Sequence, residues 1–274
     1  MYYIEETDKL SKIDKIFKII KINDNKIILP INEETVSAKY QKKLAIKTNE
    51  ILTKTNSNKI VVSNQIKKYD KYINFLNSCN IDIADGKWLY KIAILDILDY
   101  IVNNKNIKKE ELEIAITTNY ISDIEIENIK RIAFEYKRVN VITNHIEKLK
   151  KIEQNLYEEH GIMITVSNNK KKSLRKSEII VNFDFPKELL NKYNIYEEAI
   201  IINVEGNMKI TKKRFNGLVI NDFEIEPKES SKYSAKEIYE SKFFKKQNFK
   251  YVREKMAKDN IKISELIGNN GKIM

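Results

Sequence analysis

Leu112-Glu-Ile-Ala-Ile-Thr-Thr118, then Asn119-Tyr-Ile-Ser-Asp123 and a helical pattern running to about residue 136, decides how this chain is read. The first seven residues suit a strand buried on both faces, as in a parallel sheet. In a strand–turn–helix unit of this kind, glycines let the backbone approach a phosphate, and the helix N-terminus stabilises its charge. No glycine stands between 112 and 136. Ser122 or Asp123 is placed instead to cap the helix, with Glu125 and Glu127 in its first turn. Those carboxylates oppose the helix dipole favourably. They also put negative charge where a phosphate has to sit. At ~4 Å and an effective dielectric near ~20, like charges repel by about 4 kcal/mol.

The same rhythm continues outward. Strand 139–143 precedes helix 145–159, which Gly161 is placed to end in a left-handed cap. Strand 162–166, a short basic helix 170–176, strand 178–183, helix 187–193 and strand 199–204 follow. Strands alternating with helices at this pitch predict an α/β fold with a doubly wound parallel sheet. Residues 208–212 and 217–225 read as two antiparallel edge strands, and 227–274 as a polar, helical segment with a frayed end.

The first hundred residues predict a smaller α/β domain. Ile16 to Ile22 and Lys26 to Leu29 flank the turn Asn23-Asp24-Asn25 as a hairpin. Helices are expected over 35–55 and 70–77, with strands at 59–63 and 81–84. A helix over 88–103, apolar on several sides, is expected to be buried between layers and to bridge two domains. The expected organisation is therefore 1–103, 104–226 and 227–274.

Composition narrows the classes. A hydrophobic share of 42% in 274 residues supports a real core. The single cysteine, Cys79, excludes an internal disulfide framework. The acidic start Met1-Tyr-Tyr-Ile-Glu-Glu6 does not read as a secretory leader, and no run is apolar enough for a membrane span. A cytoplasmic protein without membrane contact is expected. The net charge of +11 is spread along the chain, so weak electrostatic contact with nucleic acid is expected rather than a specific site. The one dense basic run, Lys170 to Lys176, is the place for such a contact.

Residues 112–204 resemble the nucleotide-binding domain of the shikimate dehydrogenase and glutamyl-tRNA reductase group. The likeness is carried by Arg138-Val-Asn-Val-Ile-Thr-Asn144-His145 with the helix up to Gly161, and by Lys176 to Pro186. It implies a Rossmann-like domain, here degenerate because the glycine-rich phosphate loop is missing. It also implies a cofactor site near Asn119, Asn144, His145 and Asn182. An Asp or Glu normally meets the ribose hydroxyls at the end of the second strand. Asn144 and His145 stand there with Lys148 one turn on, so NADP(H) is the form expected if any dinucleotide binds. Asn144 as a plain helix cap is the competing reading.

Other candidates are local. Asp85-Gly86-Lys87-Trp88 places a carboxylate and an ammonium at a tight turn after a strand; Asp85 and Lys87 are the candidate catalytic pair, and a turn plus helix cap with Trp88 as core anchor is the alternative. Asn77-Ser-Cys79-Asn80 looks like the nucleophile stretch of glutamyl-tRNA reductases, without the arginine that follows there, and plain packing is the alternative. The two histidines, His145 and His160, sit at predicted helix ends and lack ligand spacing, so no metal site is expected. The leading expectation is a non-catalytic binding, regulatory or assembly role without a cofactor. The alternatives are an NAD(P)-dependent oxidoreductase with an atypical loop and a basic nucleic-acid-associated protein. The partner is left open by the sequence; self-association through the aromatic segment around Phe243 and Phe244 is one mode open to a scaffold protein.

Overall fold

The computed structural model describes residues 1–32, 36–169, 174–227, 231–244 and 247–274, in two compact units. The first unit comprises 1–86 and 227–247, the second 87–226 and 248–274. This differs from the expected boundaries. The 88–103 helix groups with the second unit, and the C-terminal segment divides between both. Lys170 to Ser173, most of the dense basic run, lie outside the described residues.

The first unit holds a five-stranded sheet in the order β2-β3-β1-β4-β5, from β1 (Tyr2–Glu6), β2 (Lys21–Asn23), β3 (Lys26–Leu29), β4 (Lys59–Val62) and β5 (Asp82–Ala84). β1 is central, parallel to both β3 and β4. The β2–β3 hairpin turns at Asp24, whose φ is 49°. The apolar run from Ile16 does not form one strand. Ser11 caps α1 (Lys12–Phe17) by accepting from Asp14 N–H, and Lys18 ends that helix in the left-handed region. The cap and the first-turn aspartate favour a helix over the strand suggested by Ile16, Phe17 and Ile19. α2 (Ala38–Lys54) and α3 (Asp70–Ser78) cover the sheet, with Ile4, Ile27, Leu44, Leu52, Ile60 and Tyr72 in the core.

The second unit begins with α4 (Lys87–Ile92) and α5 (Ile94–Lys105), two helices where one was expected. The break is slight: Ala93 flattens to φ −86°, ψ 6°, yet its N–H still donates to Leu89 O at 2.9 Å. α5 buries Ile94, Leu95, Ile97, Leu98, Ile101 and Val102, as expected of a helix apolar on several sides.

Six strands follow: β6 (Glu113–Thr117), β7 (Arg138–Ile142), β8 (Ile164–Ser167), β9 (Ile179–Asn182), β10 (Ile200–Asn203) and β11 (Leu218–Ile220). They lie in the order β8-β7-β6-β9-β10-β11 and every neighbouring pair is parallel. That is the dinucleotide-domain order 3-2-1-4-5-6, with the switch between β6 and β9. β9 and β10 are buried at every residue, which explains their continuous Ile and Val. The connecting helices are α6 (Asp123–Glu135), α7 (Ile146–His160) and α8 (Lys187–Lys192). Gly161 ends α7 at φ 67°.

Beyond β10 the expected antiparallel pair is not formed. Residues 208–212 form no strand and β11 joins the parallel sheet. β12 (Asp222–Glu226) instead pairs antiparallel with β13 (Lys262–Gly268), which also pairs with β14 (Gly271–Lys272). The C-terminal end is therefore ordered by pairing and by fully buried Leu266, not frayed. α10 (Phe249–Lys258) precedes β13. In the first unit, α9 (Ala235–Ser241) belongs to the segment that packs Tyr233, Ile238 and Phe244 against Val61 and Ala84. Gly86 closes the turn after β5 at φ 75°, where a Cβ would come within 2.4 Å of the Lys236 side chain.

Candidate functional site

In an open α/β sheet the ligand crevice lies outside the carboxyl ends of the strands at the topological switch. In the second unit that point is the gap between the loop after β6 and the loop after β9. The backbone donors there are turned toward a side chain of the protein itself. Asp184, two residues past β9, accepts from Asn119 N–H through both carboxylate oxygens at 2.8 Å, and from Tyr120 N–H at 2.5 Å. These are the loop N–H groups that a phosphate would seek. Asn119 Oδ1 in turn accepts from Asn144 N–H at 3.0 Å, tying the ends of β6 and β7 together.

The helix N-terminus beside this loop is equally self-satisfied. Ser122 and Glu125 form a reciprocal capping box: Ser122 N–H donates to Glu125 Oε2 at 3.0 Å, and Ile124 N–H to Ser122 Oγ at 3.3 Å. Ser122 Oγ also donates to Glu125 Oε2. Glu125 is 1% exposed. Its other oxygen faces Lys91 Nζ at 3.5 Å, and Lys91 also meets Glu205 Oε1 at 3.0 Å. Burial opposes the Lys91 charge, but Glu205 and Glu125 outweigh it and hold the ammonium above its ordinary range. The site thus draws a cation where the dinucleotide fingerprint would draw an anion.

Asn182, the last residue of β9, is buried and fully engaged. Its Oδ1 accepts from Thr117 Oγ1 at 2.6 Å and from Phe185 N–H at 3.1 Å, while its Nδ2 donates to Phe185 O and to Asn203 Oδ1. Asn203 continues to Asn221 Oδ1, and Asn221 to Asn269 Oδ1. A chain of amides therefore runs along the carboxyl edge, from the end of β9 past β10 and β11. The sequence carries a signal for it: asparagine ends β9 and β10 in Ile179-Ile-Val-Asn182 and Ile200-Ile-Ile-Asn203, and directly follows β11 in Leu218-Val-Ile-Asn221. Asp184 has no comparable signal, because its partners lie 64 and 65 positions away.

The remaining candidates lie elsewhere or act differently. His145, not Asn144, is the residue before α7, and its side chain makes no cap bond; both are exposed. His160 ends α7 with its ring 5.0 Å from that of Phe134. Asp85 follows β5 at the end of the first unit, and Lys87 opens α4 in the second, one turn before Lys91. Cys79 caps the end of α3 and packs against the first unit's core. Among the described residues no group of three or more His, Cys, Asp or Glu is placed to hold a metal ion. No helix among the described residues is long and apolar enough to cross a membrane.

No protein-family model matches the chain. No curated protein matches it either. Among solved structures, it is similar to shikimate 5-dehydrogenase from Listeria monocytogenes, at 10% identity and a TM-score of 0.34 over 93% of this chain and 95% of that one. It is also similar to the hetero-hexameric glutamate dehydrogenase from Thermus thermophilus, at 9% identity and 0.35 over 85% and 64%, and to L-tryptophan dehydrogenase from Nostoc punctiforme, at 8% and 0.34 over 77% and 64%. The chain thus spans less than two thirds of the glutamate dehydrogenase it matches. At such scores the likenesses carry no inference; the α/β assignment stands on the strand order itself.

Proposed function

We propose that the second unit is a Rossmann-like scaffold whose dinucleotide site is filled by its own carboxylates, and that the protein has a binding, regulatory or assembly role rather than a catalytic one. The observation that carries this reading is Asp184, which takes the N–H groups of Asn119 and Tyr120. A phosphate has to displace that carboxylate and then lie near the buried carboxylate of Glu125, which caps its own helix and holds Lys91 at 3.5 Å. The amides that end β9 and β10 are bonded to one another and to backbone, so they offer no free donors to a ligand. A fold by itself brings no activity with it. A cofactor is not expected; NADP(H) is the form that exposed Asn144 and His145, standing where a dinucleotide site usually carries an Asp or Glu, would tolerate best.

The test is thermal unfolding of the whole chain with millimolar NAD, NADH, NADP or NADPH at fixed salt. A ligand at ~100 times its dissociation constant stabilises a fold by about 2.7 kcal/mol, which is a plain shift of the midpoint. The expected result is no shift with any of the four. A shift specific to one of them, lost in Asn119→Ala, overturns the proposal and makes the β6–β9 crevice an oxidoreductase cofactor site.

A further inference from the structure

The first unit carries an apolar surface that its core does not use. α1 has no buried residue at all. Ile13 is 63% exposed, Ile16 and Phe17 are each 67% exposed, and Ile19 and Ile22 follow at 41% and 47%. Ile13, Ile16 and Phe17 stand at i, i+3 and i+4, hence on one face of the helix. Polar side chains of α2 reach the α1 backbone. Tyr40 Oη donates to Lys15 O at 3.3 Å, and Lys47 Nζ donates to Phe17 O and Lys18 O, each at 3.0 Å. The anchoring contacts grip the carbonyls and leave the side-chain tips outward.

The same stretch of chain is rich in positive charge, although Lys26 also reaches Glu5 at 3.5 Å and Lys18 lies over the Tyr40 ring. Between residues 9 and 26 there are six lysines against two aspartates, and Asp14, the one carboxylate on α1, is bound to Lys21 at 2.9 Å. We propose that the face formed by α1 and the β2 edge is a docking surface for an anionic lipid bilayer, with the isoleucine and phenylalanine tips in the acyl boundary and the lysines at headgroup level. Short apolar faces rimmed by lysine bind in this way, because the long lysine stems let the ammonium reach the phosphates while the tips are buried. A second copy of the chain is a poorer occupant. It would bring the same lysines face to face, and five side-chain tips expose only a few hundred Å², roughly, against the ~800 Å² per partner of a stable interface. A bilayer accepts a shallow convex surface of any shape. Interfacial docking needs no spanning helix, so it revises the expectation of no membrane contact, which rested on the lack of a span.

The experiment is flotation of the full chain with vesicles of phosphatidylcholine containing phosphatidylglycerol, and with phosphatidylcholine alone. Binding is expected to the anionic vesicles only, and to weaken at high salt. The double variant Ile16→Ser/Phe17→Ser should lower vesicle affinity by about tenfold or more, as loss of two buried apolar tips predicts. Lys12→Glu/Lys15→Glu should lower it comparably. Met163→Ser, an exposed position in the second unit, should leave it unchanged. Circular dichroism checks that each variant is folded, which is expected because none of these side chains lies in the core. Absence of flotation, equal flotation with neutral vesicles, or full retention in the serine variant overturns the proposal. So does a concentration-dependent dimer in sedimentation that the serine variant abolishes, which assigns the face to a second copy.

Discussion

The two main sheets, one wholly parallel and one with an antiparallel edge strand, close their carboxyl edges in different ways. In the second unit the closing groups stand on the strands and their adjoining loops: the amides of Asn182 and Asn203, and Asp184 just past β9. In the first unit they come from far along the chain. Tyr233 Oη donates to Glu5 Oε2 at 2.9 Å, Lys232 pairs with Asp8 at 2.9 Å, and Lys67 pairs with Glu237 at 2.6 Å. The first closure is built by neighbouring strands as they assemble. The second needs a segment from beyond residue 230 to return to the first strand, and such contacts repay their loop entropy late. Two edges that look alike as topology therefore differ in how far along the chain their stability is stored.

The sharpest way to break this comparison is at the amide chain. Asn182→Ala strips partners from Thr117, Phe185 and Asn203 in a buried setting, and should cost about 4 kcal/mol in denaturant unfolding. A loss below about 1 kcal/mol would mean that the amides do not hold the edge. Tyr233→Phe removes one donor from a carboxylate in the first unit and should cost about 2 kcal/mol, roughly half as much.

Alkali tests both units at once. Burial, with Glu5 adding to it, raises the Tyr233 hydroxyl well above its ordinary value, and burial with Asp99 pushes Tyr136 in the second unit up to about 12, against the pull of Lys109. Each raised value means that the folded chain keeps a proton the unfolded chain has lost. The stabilisation is complete below the unfolded value of about 10 and disappears as pH rises toward about 12 and beyond. Tyrosinate absorbance should therefore rise in two stages, exposed tyrosines first and the buried ones together with unfolding. A single smooth titration from about pH 10 would contradict the burial of Tyr136 and Tyr233. The smallest effect is expected at Gly161→Ala, where φ is 67° but the space is open. Strain alone should cost about 1 kcal/mol, visible as a small shift of the unfolding midpoint.

Much of the second sheet is legible because its strands are buried on both faces, and runs such as Ile179 to Val181 and Ile200 to Ile202 announce that directly. Ser122, Glu125 and Gly161 are legible for a different reason: capping chemistry is local and acts within a few residues. β1 is not legible because Tyr2 to Glu6 mixes acid with apolar residues. Ile16 and Phe17, the start of the strand expected over Ile16 to Ile22, end α1 instead: their side chains belong to no core, and a periodicity argument assumes that they do. Of the candidate site, the missing phosphate glycines were visible and the occupying carboxylate was not.

The amino-acid sequence alone determined the alternation of strand and helix, the helix caps and the acidic first turn of α6, since burial period and capping depend on neighbours a few residues apart. Tertiary structure alone decided that Asp184 fills the loop after β6, that β11 joins the parallel sheet while β13 pairs with β12, and that residues 231–244 complete the first unit. Those outcomes depend on which strand ends meet, and contacts such as Asn119 with Asp184, 65 positions apart, or Glu5 with Tyr233, 228 apart, leave no periodic trace in the chain.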